Sequence, residues 1–182
     1  MGDTKGGAFD LPEADALAML REPNPHGLPN SDVLMPWANG LDITRRSRGM
    51  WIVDCGTDRT EAEASAYEGP FRYVLEHVYP QRDKSRSTIE EWWLHERCRG
   101  EMRVTLVPLP RFLATVRVAK YRLFVWLTAP LLPDCALFAF ARADDYFFGA
   151  VHSQVHEVWA RAHGTQVRER ESGFRYLSLI HI

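Results

Sequence analysis

Apolar positions along the chain come in short runs divided by turn-forming and charged stretches, and their spacing changes between helical and strand periods. Residues 11–21 predict a short helix, with Pro12 in its first turn and Leu17 and Leu20 on one side. The following loop carries Pro23, Pro25, Gly27 and Pro29, which forbid regular structure. Residues 50–55 predict a buried strand closed by Gly56. Thr60 and Glu63 have capping-box spacing, so a helix should start there and run through Ala64, Tyr67, Phe71, Leu75 and Val78. It should be kinked at Gly69-Pro70 and end before Pro80. A second helix is expected over residues 88–97, with Trp92 and Trp93 as packing residues.

Further on, residues 117–127 predict a strand that is half polar at first and apolar at its end. Residues 136–151 predict two strands joined at Ala143-Asp144-Asp145, and residues 152–163 a helix with Val155, Val158 and Trp159 inward. Strands and helices alternate irregularly, without Gly-rich turns between strand and helix. The expected fold class is therefore mixed α/β (α+β): an irregular sheet with flanking helices, not a doubly wound nucleotide-binding sheet.

The 182 residues suffice for one ordinary domain with a sizeable core. With 46% hydrophobic and 25% charged residues, disordered and fibrous classes are excluded. Three cysteines without CxxC spacing indicate neither a disulfide framework nor a zinc cluster. No apolar run approaches the roughly 20 residues of a membrane-spanning helix, and no secretory signal is read, so a cytoplasmic location without a membrane partner is expected. The net charge of −2 hides an uneven distribution. Residues 97–122 carry seven bases against Glu101 alone, whereas residues 54–91 carry nine acids and five bases. One basic segment beside an acidic one suits a protein with one face meeting an anion.

Several constellations are candidates for chemistry. Asp54-Cys55-Gly56 ends a strand, but a methyl-donor or dinucleotide loop needs further glycines, so a plain turn is the better reading. There is no phosphate-binding G-x-x-x-x-G-K-[ST], no G-x-S-x-G and no Asn/Asp-Pro-Pro-aromatic tetrad. His152 and His156, with Asp144 and Asp145 upstream, have the types a hydrolytic metal needs, although such histidines are more often hydrogen-bonded surface or core residues. A Cys135–His152 nucleophile pair is weaker still, because Cys135 reads as core. Arg45, Arg46 and Arg48, with Ser47 between them, read equally as a phosphate-binding loop or as a solvated turn paired with Asp42 and Asp54. Arg117, Lys120 and Arg122 near a strand start can likewise track a nucleic-acid backbone. Arg142, Asp144, Asp145 and Tyr146 form either a charged hairpin tip or a corner able to read base edges.

The motifs also occur in a recognisable order. Gly6-Gly7-Ala8-Phe9-Asp10, Pro29-Asn30-Ser31-Asp32, Asn39-Gly40-Leu41-Asp42-Ile43-Thr44-Arg45-Arg46 and Met50-Trp51-Ile52-Val53-Asp54 come first. Ala66-Tyr67-Glu68-Gly69-Pro70-Phe71, Arg82-Asp83-Lys84, Trp92-Trp93, Arg117-Val118-Ala119-Lys120, Asp144-Asp145-Tyr146-Phe147-Phe148-Gly149 and His152-Ser153 follow. This set, over residues 6–176, resembles the target-recognition region of MmeI-like DNA methyltransferases, restriction–modification proteins that methylate adenine at N6. Val116, Tyr121 and Cys55 depart from the family's usual Pro, His and Phe, and Pro108 and Pro110 interrupt what is usually helix.

The resemblance implies recognition of double-stranded DNA over residues 1–176. Catalysis would belong to an upstream methyltransferase domain that binds S-adenosylmethionine; this segment would hold no cofactor and no metal and would not be catalytic alone. Arg45, Arg46, Arg48, Arg117, Lys120 and Arg122 are then the expected phosphate contacts. Arg142, Asp144, Asp145 and Tyr146 are the expected base readers, with Ser153 and His156 supporting them. Residues 177–182 are expected to be a truncated or chimeric tail. A stand-alone metal-dependent hydrolase built on His152, His156 and Asp144, and a protein-interaction module, are the alternatives.

Overall fold

The computed structural model describes residues 1–82, 90–119, 123–163, 165–166 and 174–175. In chain order the first elements are β1 (Asp10–Pro12), α1 (Glu13–Arg21), β2 (Leu34–Ala38), α2 (Gly40–Thr44) and β3 (Met50–Val53). Next come α3 (Glu61–Ser65), α4 (Glu68–His77), α5 (Tyr79–Arg82) and α6 (Gly100–Leu106). The chain continues with β4 (Arg111–Val116), β5 (Val118–Ala119), β6 (Phe124–Thr128), β7 (Leu132–Pro133) and β8 (Leu137–Phe140). Last are α7 (Asp145–His152), α8 (Gln154–His163), β9 (Thr165–Gln166) and β10 (Phe174–Arg175). The result is a mixed α/β fold with sheets and flanking helices. Two compact units are formed: Asp3–Ala38 with Arg48–Gly100, and Met1–Gly2 with Asn39–Ser47 and Glu101–Ile182.

In the first unit β3 runs antiparallel between β1 and β2, with Ile52 opposite both Asp10 and Met35. Phe9, Leu11, Ile52 and Val53 are fully buried. Pro12 caps α1 from outside, so that helix starts two residues later than its sequence suggests, and it buries Ala16 while Leu17 stays exposed. The Thr60–Glu63 capping box is present in both directions. The helix it starts breaks at Ala66-Tyr67 rather than at Gly69-Pro70: Pro70 sits in the first turn of α4, where its missing N–H costs little. Pro80 likewise lies in the first turn of α5.

The helix expected over 88–97 is not formed in its described part, which is a series of turns. The tryptophans explain this, because both are drawn inward and tie the segment down. Trp93 Nε1 donates to the Arg59 carbonyl at 2.8 Å, and Trp92 packs on Phe71 and Tyr79 with ring centroids 5.3 and 5.0 Å away.

In the second unit β4 is the central strand of an antiparallel sheet ordered β6-β4-β8. Leu113 lies opposite Trp126 on one side and Phe140 on the other. Both faces of β4 are covered, so its run of apolar residues does not alternate with polar ones. One face buries Phe112 and Ala114 with Leu106, and Ile43 of α2 packs there. The other buries Leu113 with Phe124 and Val151. Pro108 and Pro110 separate α6 from β4, a helix and a strand that sequence pattern alone did not predict.

The strand expected over 117–127 is divided into β5 and β6. The two strands expected over 136–151 are instead β8 followed by α7. Phe147, Phe148 and Val151 look strand-like in composition, but they pack at helical spacing against the cluster of Leu113 and Phe124. Val155 and Val158 of α8, expected inward, are exposed, and Ala160 is buried instead.

Candidate nucleic-acid interface

The corner between β8 and α7 is built by two arginines and two aspartates. Asp144 caps α7 by accepting from the Phe147 N–H at 2.9 Å, and its other oxygen accepts from Arg142 Nε at 2.8 Å. The Arg142 hydrogen bond, followed by the Phe147 amide, holds the Asp144 carboxyl well below the usual range, at about 2. In return, Asp144 raises the pKa of the Arg142 guanidinium. That guanidinium lies 5.3 Å from the Phe147 ring centroid and remains exposed.

Arg111, at the start of β4, secures the corner from beneath. Its Nε donates to the Ala143 carbonyl at 3.0 Å, its Nη2 donates to Asp145 Oδ1 at 2.8 Å, and its guanidinium stacks 4.1 Å from the centre of Trp126. Arg111 was not among the residues singled out in the sequence. Its membership of the basic segment was the available signal, but only the register of β4 against β6 puts it beside Trp126. Tyr146, in the first turn of α7, is 85% exposed, so its ring is presented to solvent rather than packed.

Arg142, Asp144, Asp145 and Tyr146 are thus brought together. Ser153 and His156 lie at the junction of α7 and α8. Ser153 is extended there, and its hydroxyl donates to the Ala150 carbonyl at 2.7 Å and accepts from the His156 N–H at 3.2 Å. His156 Nδ1 donates to the Val151 carbonyl at 2.7 Å, and His152 Nδ1 donates to the Phe148 carbonyl at 2.9 Å. Both imidazoles flank Phe124. A cavity of about 610 Å³ opens beside them, lined by Thr115, Phe124, Phe140, Phe147, His156 and Trp159 among others.

The hydrolytic metal set is not assembled. His152 and His156 fall on different helices, and Asp144 is held by Arg142 and the Phe147 amide. Among the described residues, the metal-ligating trio whose donor atoms converge is Asp3, His95 and Cys98. Cys135, expected in an apolar strand, is half-buried in the turn before β8.

Of the expected phosphate contacts, Arg45, Arg46 and Arg48 are exposed. The Asn39–Asp42 capping box starts α2, which packs on β4 and carries Arg45 at its C-terminal end. The boundary between the two compact units falls between Ser47 and Arg48, so the three arginines do not belong to one unit. Arg117 follows β4 and is half-buried, its N–H donating to the Ala136 carbonyl at 2.7 Å. Lys120 and Arg122 lie outside the described residues.

No family model and no curated protein matches the sequence. Among solved structures, that of the type IIL restriction-modification enzyme MmeI in complex with DNA matches 99% of this chain, with a TM-score of 0.71 and 14% identity. This chain is similar in fold to part of MmeI. The match covers 23% of the MmeI chain, so the present chain spans about a quarter of that enzyme's length.

The resemblance also implies S-adenosylmethionine for a longer enzyme, and the turn after β3 is where this chain's sequence comes nearest to a methyl-donor loop. Its residues do not fit that group. Asp54 Oδ1 accepts from the Gly56 N–H at 3.0 Å, closing the turn on itself. Gly56 has a φ of +85°, a backbone conformation that L side chains rarely adopt, which accounts for a glycine in this turn. Among the described residues, no helix is long and apolar enough to cross a membrane.

Proposed function

We propose that this chain is the DNA target-recognition segment of a restriction–modification enzyme that methylates adenine at N6, as MmeI-like proteins do. The observation that carries the reading is the likeness in fold to MmeI, solved in complex with DNA, over nearly the whole chain. The corner of Arg142, Asp144, Asp145 and Tyr146 supports it, because it presents a guanidinium donor, carboxylate acceptors and an exposed aromatic ring on one rigid helix start. Those are the groups that read base edges in a major groove.

In this reading Arg45, Arg46, Arg48, Arg117, Lys120 and Arg122 contact phosphates and set the register. Ser153 and His156 hold the α7–α8 junction behind the readers. Chemistry on the base, which must leave the stack to be methylated, belongs to an upstream domain that holds S-adenosylmethionine.

Fluorescence anisotropy of the chain on labelled duplex DNA across a salt series tests the reading. Counterion release predicts an affinity that falls with log[salt], with a slope of about −0.9 for each phosphate contacted. Affinity that is absent at low salt, or insensitive to salt, would contradict it.

A further inference from the structure

Asp3, His95 and Cys98 are far apart in sequence, and nothing in the DNA-binding reading uses them. His95 and Asp3 side chains are completely buried, and His95 Nδ1 faces Asp3 Oδ2 at 3.3 Å. The other ring nitrogen, Nε2, lies 3.0 Å from the Val53 carbonyl, which only accepts, so Nε2 carries the proton. A neutral imidazole protonated there presents the lone pair of Nδ1 to a carboxylate oxygen. A nitrogen and an oxygen donor thus lie side by side in the interior, as two ligands of one cation do.

The surroundings favour a metal. Ligating histidines usually give their second ring N–H to a carbonyl or carboxylate, which is the role Val53 plays here. Cys98 Sγ completes a trio whose donor atoms all lie within 4.8 Å of one another. Asp54 Oδ1, 4.0 Å from the same His95 nitrogen, accepts from the Gly56 N–H and is not one of the trio. Zinc bonds of about 2.0–2.3 Å in a tetrahedron set donor atoms roughly 3.3–3.8 Å apart, and the 3.3 Å between His95 Nδ1 and Asp3 Oδ2 falls at that edge. The Asp3 carboxylate is fixed from behind, where Oδ1 accepts from the Arg99 N–H at 2.9 Å.

We infer that Asp3, His95 and Cys98 form a site for a divalent transition-metal cation, with Zn²⁺ the best match to one nitrogen, one sulfur and one oxygen donor. The cation would join two separate pieces of one compact unit: the chain start and the 95–98 turn. Metal uptake displaces the thiol proton of Cys98 to solvent and involves no redox change.

The test uses the full chain, purified without chelator, dialysed and analysed for metal, then reloaded with Co²⁺. The expected result is about one Zn²⁺ per chain and, after exchange, a thiolate-to-cobalt charge-transfer band. Cys98→Ser should abolish the band and weaken Zn²⁺ by more than about tenfold, the lower end of what outer-shell changes alone cost. Cys135→Ser should leave both unchanged. A chain folded by circular dichroism that retains no zinc and shows no cobalt band would overturn the inference. A band that survives Cys98→Ser would overturn it equally.

Discussion

Asp144 serves two partners at once, and its titration gives that arrangement a measurable signature. Its folded pKa, about 2, lies below the roughly 3.9 of an unfolded aspartate. As acid is added, the unfolded chain therefore takes up the proton first. The stabilisation from Asp144 is complete above about pH 5 and is lost as pH falls toward 2. Asp144→Asn keeps a capping oxygen but neither titrates nor pairs with a charge. Thermal unfolding should show wild type above this variant at pH 7, with the gap closing as pH falls from about 5 toward 2. A gap that stays constant with pH would mean that Arg142 and Asp144 are not coupled in solution. The buried Cys55 thiol belongs to a different environment: burial and then the adjacent Asp54 push it up to about 12, so it remains a thiol at neutral pH.

Among the elements, β4 organises the second unit, because it holds α2 on one face and the aromatic cluster under α7 on the other. Phe112 is 1% exposed and packs where Ile43 of α2 meets the sheet. Phe112→Ala should cost about 3–5 kcal/mol in a denaturation experiment, as large-to-small changes in a tight core do. It should also weaken DNA binding by loosening α2, which carries Arg45. A loss under about 1 kcal/mol would show that β4 does not form this core.

Elements with local signals were legible in the sequence. The Thr60–Glu63 capping box is present in both directions, and the strand expected over 50–55 is present as Met50–Val53, two residues shorter. What could not be read depended on distant contacts. β4 has no alternation because both its faces are covered, and α7 looks like a strand because its aromatics serve a helix-to-sheet interface. Trp92 and Trp93 pack inward as the sequence predicts, yet the helix expected around them is a set of turns tied to Arg59, Phe71 and Tyr79. Of the candidate site, the residues of the 142–146 corner were legible from charge and family likeness. Arg111 was not, since its stacking on Trp126 follows from strand register. The converging Asp3, His95 and Cys98 left only the His95-x-x-Cys98 spacing as a trace.

For the whole molecule, the near-neutral total charge says little, because function would reside in how charge is placed. In the proposed reading, exposed arginines at the end of α2 would position the chain on DNA and the corner at the start of α7 would read it. The central claim is that this chain reads duplex sequence. Selection from a randomised duplex library, with sequencing of the bound fraction, tests it most directly. The wild-type chain should enrich a short consensus. Arg142→Ala should bind that consensus between about 5-fold and 150-fold more weakly while binding scrambled duplex unchanged. Failure of the wild-type chain to enrich any sequence, at a salt concentration where it still binds DNA, would contradict the account.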